Sequence, residues 1–442
     1  MKTTVLTILL ATTCGLTFAA DQTREEKVRE DMKRVKEDGF WIYNDLPKAF
    51  ETAKKTGKPL LVGFRCIPCE ECVKLDDNLV DTDPVIRPLL EQFVCVRVVS
   101  TNGLDLSLFQ YDTDQSFAMF MLNADRTIYG RFGTRSHRTE WFGDVSLTGL
   151  AEALKGALAL HKDYPANKSA LAGKTGTPLE FGSPEQYPAL KDRFTSKLSA
   201  TGEIAKSCIH CHQIGDARRD FHRKNSGTIP EKLLYSYPHP KSIGLILDAE
   251  ARALVKDVKQ DSLAAKAGFQ PGDQIETLAG QPLLSIADVQ WVLHIADPDG
   301  TDVAAVVDRA GESVKLTLAL PKGWRRNDDI AWRVSSWGLR RMVTGGMKLE
   351  SLSDEERREA KIEPGSLALR ASHVGQYNKH AVAKRAGVKK DDILISFNGR
   401  SDDMTPGQLL AYGVQTTKPG QKIPVTFLRG KQRIDVKLLM QE

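Results

Sequence analysis

Cys208-Ile209-His210-Cys211-His212 is the run whose residue types and spacing ask for a particular chemistry. Two thiols separated by two residues on one turn can each add across a vinyl group of haem. The imidazole that follows the second thiol can then bind iron, so the run carries the attachment signature of haem c. On this reading Cys208 and Cys211 hold the macrocycle, His212 is the proximal ligand, and electron transfer is the first function to consider. His239, set between Pro238 and Pro240 in backbone that proline holds extended, is the candidate distal ligand, with His222 the runner-up. His210 is expected to face solvent. Zinc is the competing ion, but the segment offers no second Cys/His pair at finger-like spacing.

The other cysteines form a second candidate site. Seven are present in the chain: Cys14 lies near the start, Cys208 and Cys211 belong to the haem motif, and Cys66, Cys69, Cys72 and Cys95 remain. Cys66, Cys69 and Cys72 are three residues apart. They could form a redox dithiol, a disulfide that staples the loop (Cys69-Cys72 or Cys66-Cys69), or a thiolate site for a soft ion such as copper(I). Glu70 and Glu71 put negative charge beside these sulfurs, which raises a thiol pKa and favours a reducing pair. Cys95, inside an apolar strand-like run, reads as a core thiol.

Residues 1–20 read as an export signal. Lys2 supplies a positive start, Val5 to Ala11 an apolar run too short to span a bilayer, and Phe18-Ala19-Ala20 small residues for cleavage before Asp21. A periplasmic or secreted protein without a later membrane span is the expectation. The 442 residues are 41% hydrophobic and 27% charged, which suits about three or four globular domains. The formal charge of +5 is spread thinly, and no nucleic-acid reading module is present. Arg218, Arg219, Arg223 and Lys224 make one local cluster, either a steering patch for an acidic redox partner or a solvated helix face.

The elements that must position the cysteines can be read by period. Leu46 to Thr56 predicts a helix stopped at Gly57, and Leu60 to Phe64 a buried strand. Val73 to Leu79 suits a helix, Phe93 to Val99 and Ala118 to Leu122 strands, Ile128 to Phe132 the return of a hairpin, and Leu147 to His161 an amphipathic helix. This order, with Lys55-Thr56-Gly57-Lys58-Pro59-Leu60-Leu61-Val62-Gly63-Phe64 leading into Cys-x-x-Cys, resembles a thioredoxin over residues 21–174. The resemblance implies that Cys69 is the attacking thiol and Cys72 the resolving one, with Cys66 an extra thiol. Pro68, Gly63 and Phe117 depart from the thioredoxin pattern where it has a tryptophan, a buried acid and a cis-proline.

Residues 179–240 are expected to form a small α-helical cytochrome c-like segment, with helices over Pro184 to Leu198 and from the motif to Arg223. Beyond it the chain repeats itself. Ala264 to Ile275 and Ala383 to Leu394 superpose without a gap, each reaching Gly280 or Gly399 at equal distance. The duplicated unit resembles the bacterial PDZ domain, giving two PDZ-like β-rich domains at 241–325 and 330–442. The resemblance implies grooves walled by Ile286 to His294 and Thr405 to Val414. Carboxylate loops at Ser242 to Leu245 and Gly345 to Leu349 would take a peptide C-terminus as an added strand. The fold class is thus multidomain α/β and β. The expected function is an exported haem c redox protein that transfers electrons, can exchange disulfides and chooses a protein partner through PDZ grooves. The alternative is a non-catalytic PDZ scaffold or haem-based sensor with structural cysteines. No Gly-x-Ser-x-Gly nucleophile is present, so proteolysis is not expected.

Overall fold

The computed structural model describes residues 22–65, 67, 83–135, 145–199, 202–333 and 336–442. Residues 1–20, the cysteines Cys66, Cys69 and Cys72, and the helix expected over Val73 to Leu79 lie outside the described residues. Helix α1 (Arg24–Asp38) starts on a capping box in which Thr23 and Glu26 satisfy each other's backbone N–H. After β1 (Ile42–Tyr43), helix α2 (Leu46–Thr56) stops at Gly57, whose φ of 70° is left-handed backbone that only glycine adopts at little cost. β2 (Leu60–Arg65) and β3 (Val94–Val98) are buried at every position and pair in parallel. β4 (Gln115–Leu122) and β5 (Ile128–Arg135) form the antiparallel hairpin, and α3 (Leu147–Lys162) follows. The sheet order is β1-β3-β2-β4-β5, the arrangement of a thioredoxin-like unit with one extra edge strand.

The segment 179–240 does not close on a core of its own. The helix expected over Pro184 to Leu198 is reduced to a 3-10 turn, Pro184–Gln186. Pro188 is the reason: Tyr187 before it is held extended at ψ 136°, as the residue preceding a proline is. α4 (Ile204–Ser207) and α5 (Cys211–Ser226) flank the haem motif. Tyr187, Leu190, Phe194, Ile209, Ile214 and Ala217 fill the thioredoxin-like core beside Leu60, Val62 and Phe64. Ile229, Leu233 and Leu234 instead join the core of the last unit. The separate small domain expected here is therefore replaced by a strap shared between its neighbours.

The first repeat contains β6 (Leu245–Leu247), β7 (Val255–Val258), α6 (Leu263–Ala267), β8 (Gln274–Leu278), β9 (Gln281–Pro282), α7 (Ile286–Ile295), β10 (Thr301–Arg309) and β11 (Glu312–Leu320). The second contains β12 (Met347–Ser351), β13 (Leu369–Val374), α8 (Val382–Arg385), β14 (Ile393–Phe397), α9 (Pro406–Thr416), β15 (Lys422–Arg429) and β16 (Gln432–Leu439). The duplication extends to individual bonds. Arg309 grips Asp273 at 2.7 and 2.9 Å and the Gly268 carbonyl at 2.8 Å. Arg429 does the same to Asp392 at 2.7 and 2.7 Å and to the Gly387 carbonyl at 2.8 Å. Gly272 turns at φ 91° and Asp391, its counterpart, at φ 69°, a left-handed conformation that aspartate tolerates better than most residues. Among the described residues, no helix is long and apolar enough to cross a membrane.

Candidate functional site

The Cys208–His212 motif lies against the end of the thioredoxin-like sheet where β2 ends at Arg65. Phe64, one residue before that strand ends, stacks on Tyr111 with ring centroids 4.9 Å apart. The Tyr111 hydroxyl donates to the Cys211 sulfur at 3.0 Å. The residues after β3 hold the motif's backbone. Ile209 N–H donates to Asn102 Oδ1 at 2.9 Å and to Ser100 Oγ at 3.2 Å. The Ile209 carbonyl accepts from Thr101 N–H at 3.0 Å and from the Thr101 hydroxyl at 2.9 Å. Asn102 also donates to the carbonyls of Thr195 and Ser207 at 2.7 and 3.0 Å. Ile209 is fully buried, so these bonds are the ones its peptide groups need. Ile67, next to Cys66, packs with Val28, Val99 and Ile204 in one small cluster.

Charge is concentrated at the same place. Arg65, the residue before Cys66, and Arg97 on β3 are both buried, and each reaches Asp31 Oδ1 of α1 at 3.5 Å. Arg34 reaches the same oxygen at 3.1 Å, so three guanidiniums share one carboxylate.

The donors that haem c requires are of the right kind and order, with Cys211 and His212 half-buried on the first turn of α5. Their placement does not fit the group. Cys208 (ψ 131°) and His210 (ψ 151°) are extended and the helix begins only at Cys211, so the two thiols are not carried on one turn. Cys208 is 3% exposed, its sulfur donates to the Ile204 carbonyl at 3.4 Å, and burial pushes its thiol up to about 11. The His210 ring lies parallel to that of His212 with centroids 5.9 Å apart, and burial, with the neighbouring His212 and Arg24, brings it down to about 4. His210 is thus a half-buried neutral ring and not the solvated one expected. His239 caps the turn at the entry to β6, where its Nδ1 accepts from Lys241 N–H at 3.2 Å, and His222 Nε2 is engaged by Glu180 at 2.9 Å. Among the described residues, no three His, Cys, Asp or Glu side chains converge as a metal site. Cys95 is the buried core thiol expected.

Of the cluster Arg218, Arg219, Arg223 and Lys224, Lys224 is exposed and pairs with Asp220 at 2.9 Å, whereas the three arginines are neither a steering patch nor a solvated face, because α5 runs between the units. Arg219 and Arg223 are buried, and Arg223 Nη1 donates to the Val414 carbonyl of the second repeat at 2.9 Å. Arg218 clasps Glu180 with two bonds of 2.9 Å. Burial pushes the Glu180 carboxyl upward, but Arg218, His222 and Tyr187 outweigh it and hold the group well below the usual carboxylate range. Its unfolded value is about 4.3, so this stabilisation is complete above that pH and is lost as pH falls further. Glu180→Gln is expected to flatten the acid limb of a thermal-stability profile between about pH 5 and pH 3. An unchanged slope would show that Glu180 is not the linked group.

Sequence reasoning missed Tyr111, Ser100 to Asn102, and the cluster of Arg34, Arg65 and Arg97 on Asp31. Arginines inside the apolar runs Leu60 to Phe64 plus Arg65 and Val94 to Val98 were the available signal, since a charge buried in a strand must have a partner.

With this geometry in hand, the chain can be set beside known proteins. Residues 41–124 match the family described as thioredoxin-like, and residues 254–301 match the PDZ domain. The periplasmic pH-dependent serine endoprotease DegQ of Escherichia coli K12 is 29% identical over 152 residues, covering 34% of this chain and 29% of that protein. A probable periplasmic DegP-like serine endoprotease of Pseudomonas savastanoi is 28% identical over 158 residues, covering 35% and 31%. A putative zinc metalloprotease of Agrobacterium fabrum is 35% identical over 68 residues, covering 15% and 18%. The solved HtrA-type protease AlgW with a decapeptide is 17% identical with a TM-score of 0.21, covering 32% of this chain and 48% of that one. The chain thus spans less than a third of the length of the curated relatives it matches, and what the comparisons establish is one thioredoxin-like unit and one PDZ unit.

Proposed function

We propose that this is an exported thiol redox protein that recruits a protein client through a PDZ unit and exchanges disulfides at the thioredoxin-like end, with Cys211 as an additional thiol of that site. The observation that carries the reading is the seating of the Cys-x-x-Cys-His motif on Phe64, Tyr111 and residues 100–102, at the end of the strand that leads into Cys66, Cys69 and Cys72. Export is supported by the leader-like residues 1–20 and by the periplasmic relatives.

In the exchange, the Cys69 thiolate attacks one sulfur of a client disulfide and the other client sulfur leaves as a thiolate. The thiolate of Cys72 or Cys211 then attacks Cys69 in the mixed disulfide, which frees the second client thiolate. Two electrons pass to the client, and a disulfide remains on this chain for an external dithiol protein to reduce. Arg65, the last residue of β2 before the cysteine segment, brings a positive charge close in sequence to the attacking thiol. Full-length protein is expected to reduce an insulin-type disulfide, and Cys69→Ser to abolish the reaction. Absence of activity in the parent would favour the non-catalytic scaffold.

A second reading rests on the spacing of Cys208, Cys211 and His212, which suits haem c once Cys208 leaves its buried position. Haem would supply one-electron transfer. The absorption spectrum of secreted protein decides: an α-band that survives denaturing extraction supports haem, and colourless protein of the bare processed mass removes it.

A further inference from the structure

In a PDZ domain the groove that takes a protein tail is walled by the helix corresponding here to α7. No residue of α7 from Ile286 to His294 is exposed, whereas Gln408 and Thr416 of α9, its counterpart in the second repeat, are. What covers α7 is the thioredoxin-like unit. β5 is the outermost strand of its sheet, and an edge strand presents backbone groups that need partners. Asp288 Oδ1 accepts the Arg131 N–H at 3.1 Å, and the Ser285 hydroxyl donates to the Arg131 carbonyl at 2.5 Å. The Trp291 indole N–H donates to the Gly173 carbonyl at 2.9 Å, and the Arg131 guanidinium lies 3.9 Å from the Trp291 ring centroid. Asp288 also pairs with Lys174 at 3.1 Å, with both side chains at 1% exposure or less.

The fit is close at three glycines. A Cβ on Gly130 or Gly156 would stand 2.5 or 2.6 Å from Leu284, and one on Gly173 would stand 2.7 Å from Gln281. Three glycines on one side of a contact, with a buried ion pair across it, describe surfaces that stay together. Arg131 then ties the contact to the redox site, since its Nε donates to the carbonyl of Gln110 at 3.2 Å and Tyr111 is the next residue.

We propose that the first repeat has this chain's own thioredoxin-like unit as its permanent partner, received on α7, and does not take the tails of other proteins; recruitment falls to the second repeat. This rests on reading both repeats as PDZ units and is independent of whether the cysteines are catalytic. A parent inactive on disulfides would remove the redox reading and leave this one standing.

Hydrogen–deuterium exchange of the full chain, read by mass spectrometry, tests it. Backbone amides of α7 and β5 are expected to exchange equally slowly in the native protein. Gly156→Leu is expected to accelerate both by roughly tenfold or more while leaving α9 unchanged. Lys174→Met, which strands the Asp288 charge, serves as a second variant with the same expected result. The proposal is overturned if α7 exchanges much faster than β5 in the native chain, or if a folded variant leaves the two segments as slow as before. The native comparison decides the matter alone if neither variant folds.

Discussion

Arg333→Met will destabilise the protein by about 3–5 kcal/mol, a large part of the roughly 5–15 kcal/mol that holds a domain folded. Arg333 is fully buried against the thioredoxin-like unit. Its guanidinium donates to Asp112 at 2.6 Å and Asp114 at 3.3 Å, both 1% exposed, and to the Ser236 carbonyl. With the guanidinium removed, two carboxylates remain out of water. Arg219 stands 3.5 Å from Asp114. The large term is the stranded charge and not the lost attraction, so Asp112→Asn with Asp114→Asn should restore much of the loss in the Arg333→Met background. Urea unfolding followed by fluorescence gives both numbers. A loss below about 1 kcal/mol would mean that water reaches the cluster.

Cys211→Ser carries the largest expected change in chemistry after loss of Cys69 itself. The Cys211 sulfur is half-buried at the start of α5 and accepts a hydrogen bond from the Tyr111 hydroxyl, which stabilises negative charge on the sulfur. In the proposed exchange, losing it removes one of the two sulfurs that release a client from Cys69. Multiple-turnover reduction should fall roughly tenfold while the first attack keeps its rate, because removal of a group acting in one step slows that step. Tyr111→Phe keeps the stack on Phe64 and deletes the hydrogen bond, so it should give a smaller loss that a rise in pH repairs. Cys208→Ser should leave turnover unchanged, since that thiol is buried and held neutral.

What could be read from the residues, and what could not, divides along the range of the interactions. α2 was legible because its stop is local: Gly57 follows the last residue of the helix and takes positive φ. The strands over Leu60–Arg65 and Val94–Val98 were legible as short apolar runs, and the internal repeat as self-similarity that persists down to the Arg309 and Arg429 clasps. Pro188 is the local signal against a helix over Pro184 to Leu198, and it outweighs the period of the apolar residues there.

The site itself is long-range. Tyr111 meets Cys211 across a sequence separation of 100 residues, and Ile209 is held by residues more than 100 positions earlier. A five-residue signature says which groups are adjacent along the chain. It does not say that their backbone will be drawn out straight by a clamp from another unit. The arginine cluster on α5 fails as a surface for the same reason, because burial is decided by elements the helix does not contain.

Whether the Cys-x-x-Cys-His motif belongs to the thioredoxin-like thiol site is open to disulfide mapping of secreted, full-length protein that has been reduced, oxidised mildly, blocked with an alkylating agent and digested. A disulfide is expected between the peptide that contains Cys211 and the one that contains Cys66, Cys69 and Cys72. Recovery of Cys208 and Cys211 as thioethers to haem, or of Cys211 only as an alkylated thiol at every degree of oxidation, would contradict it.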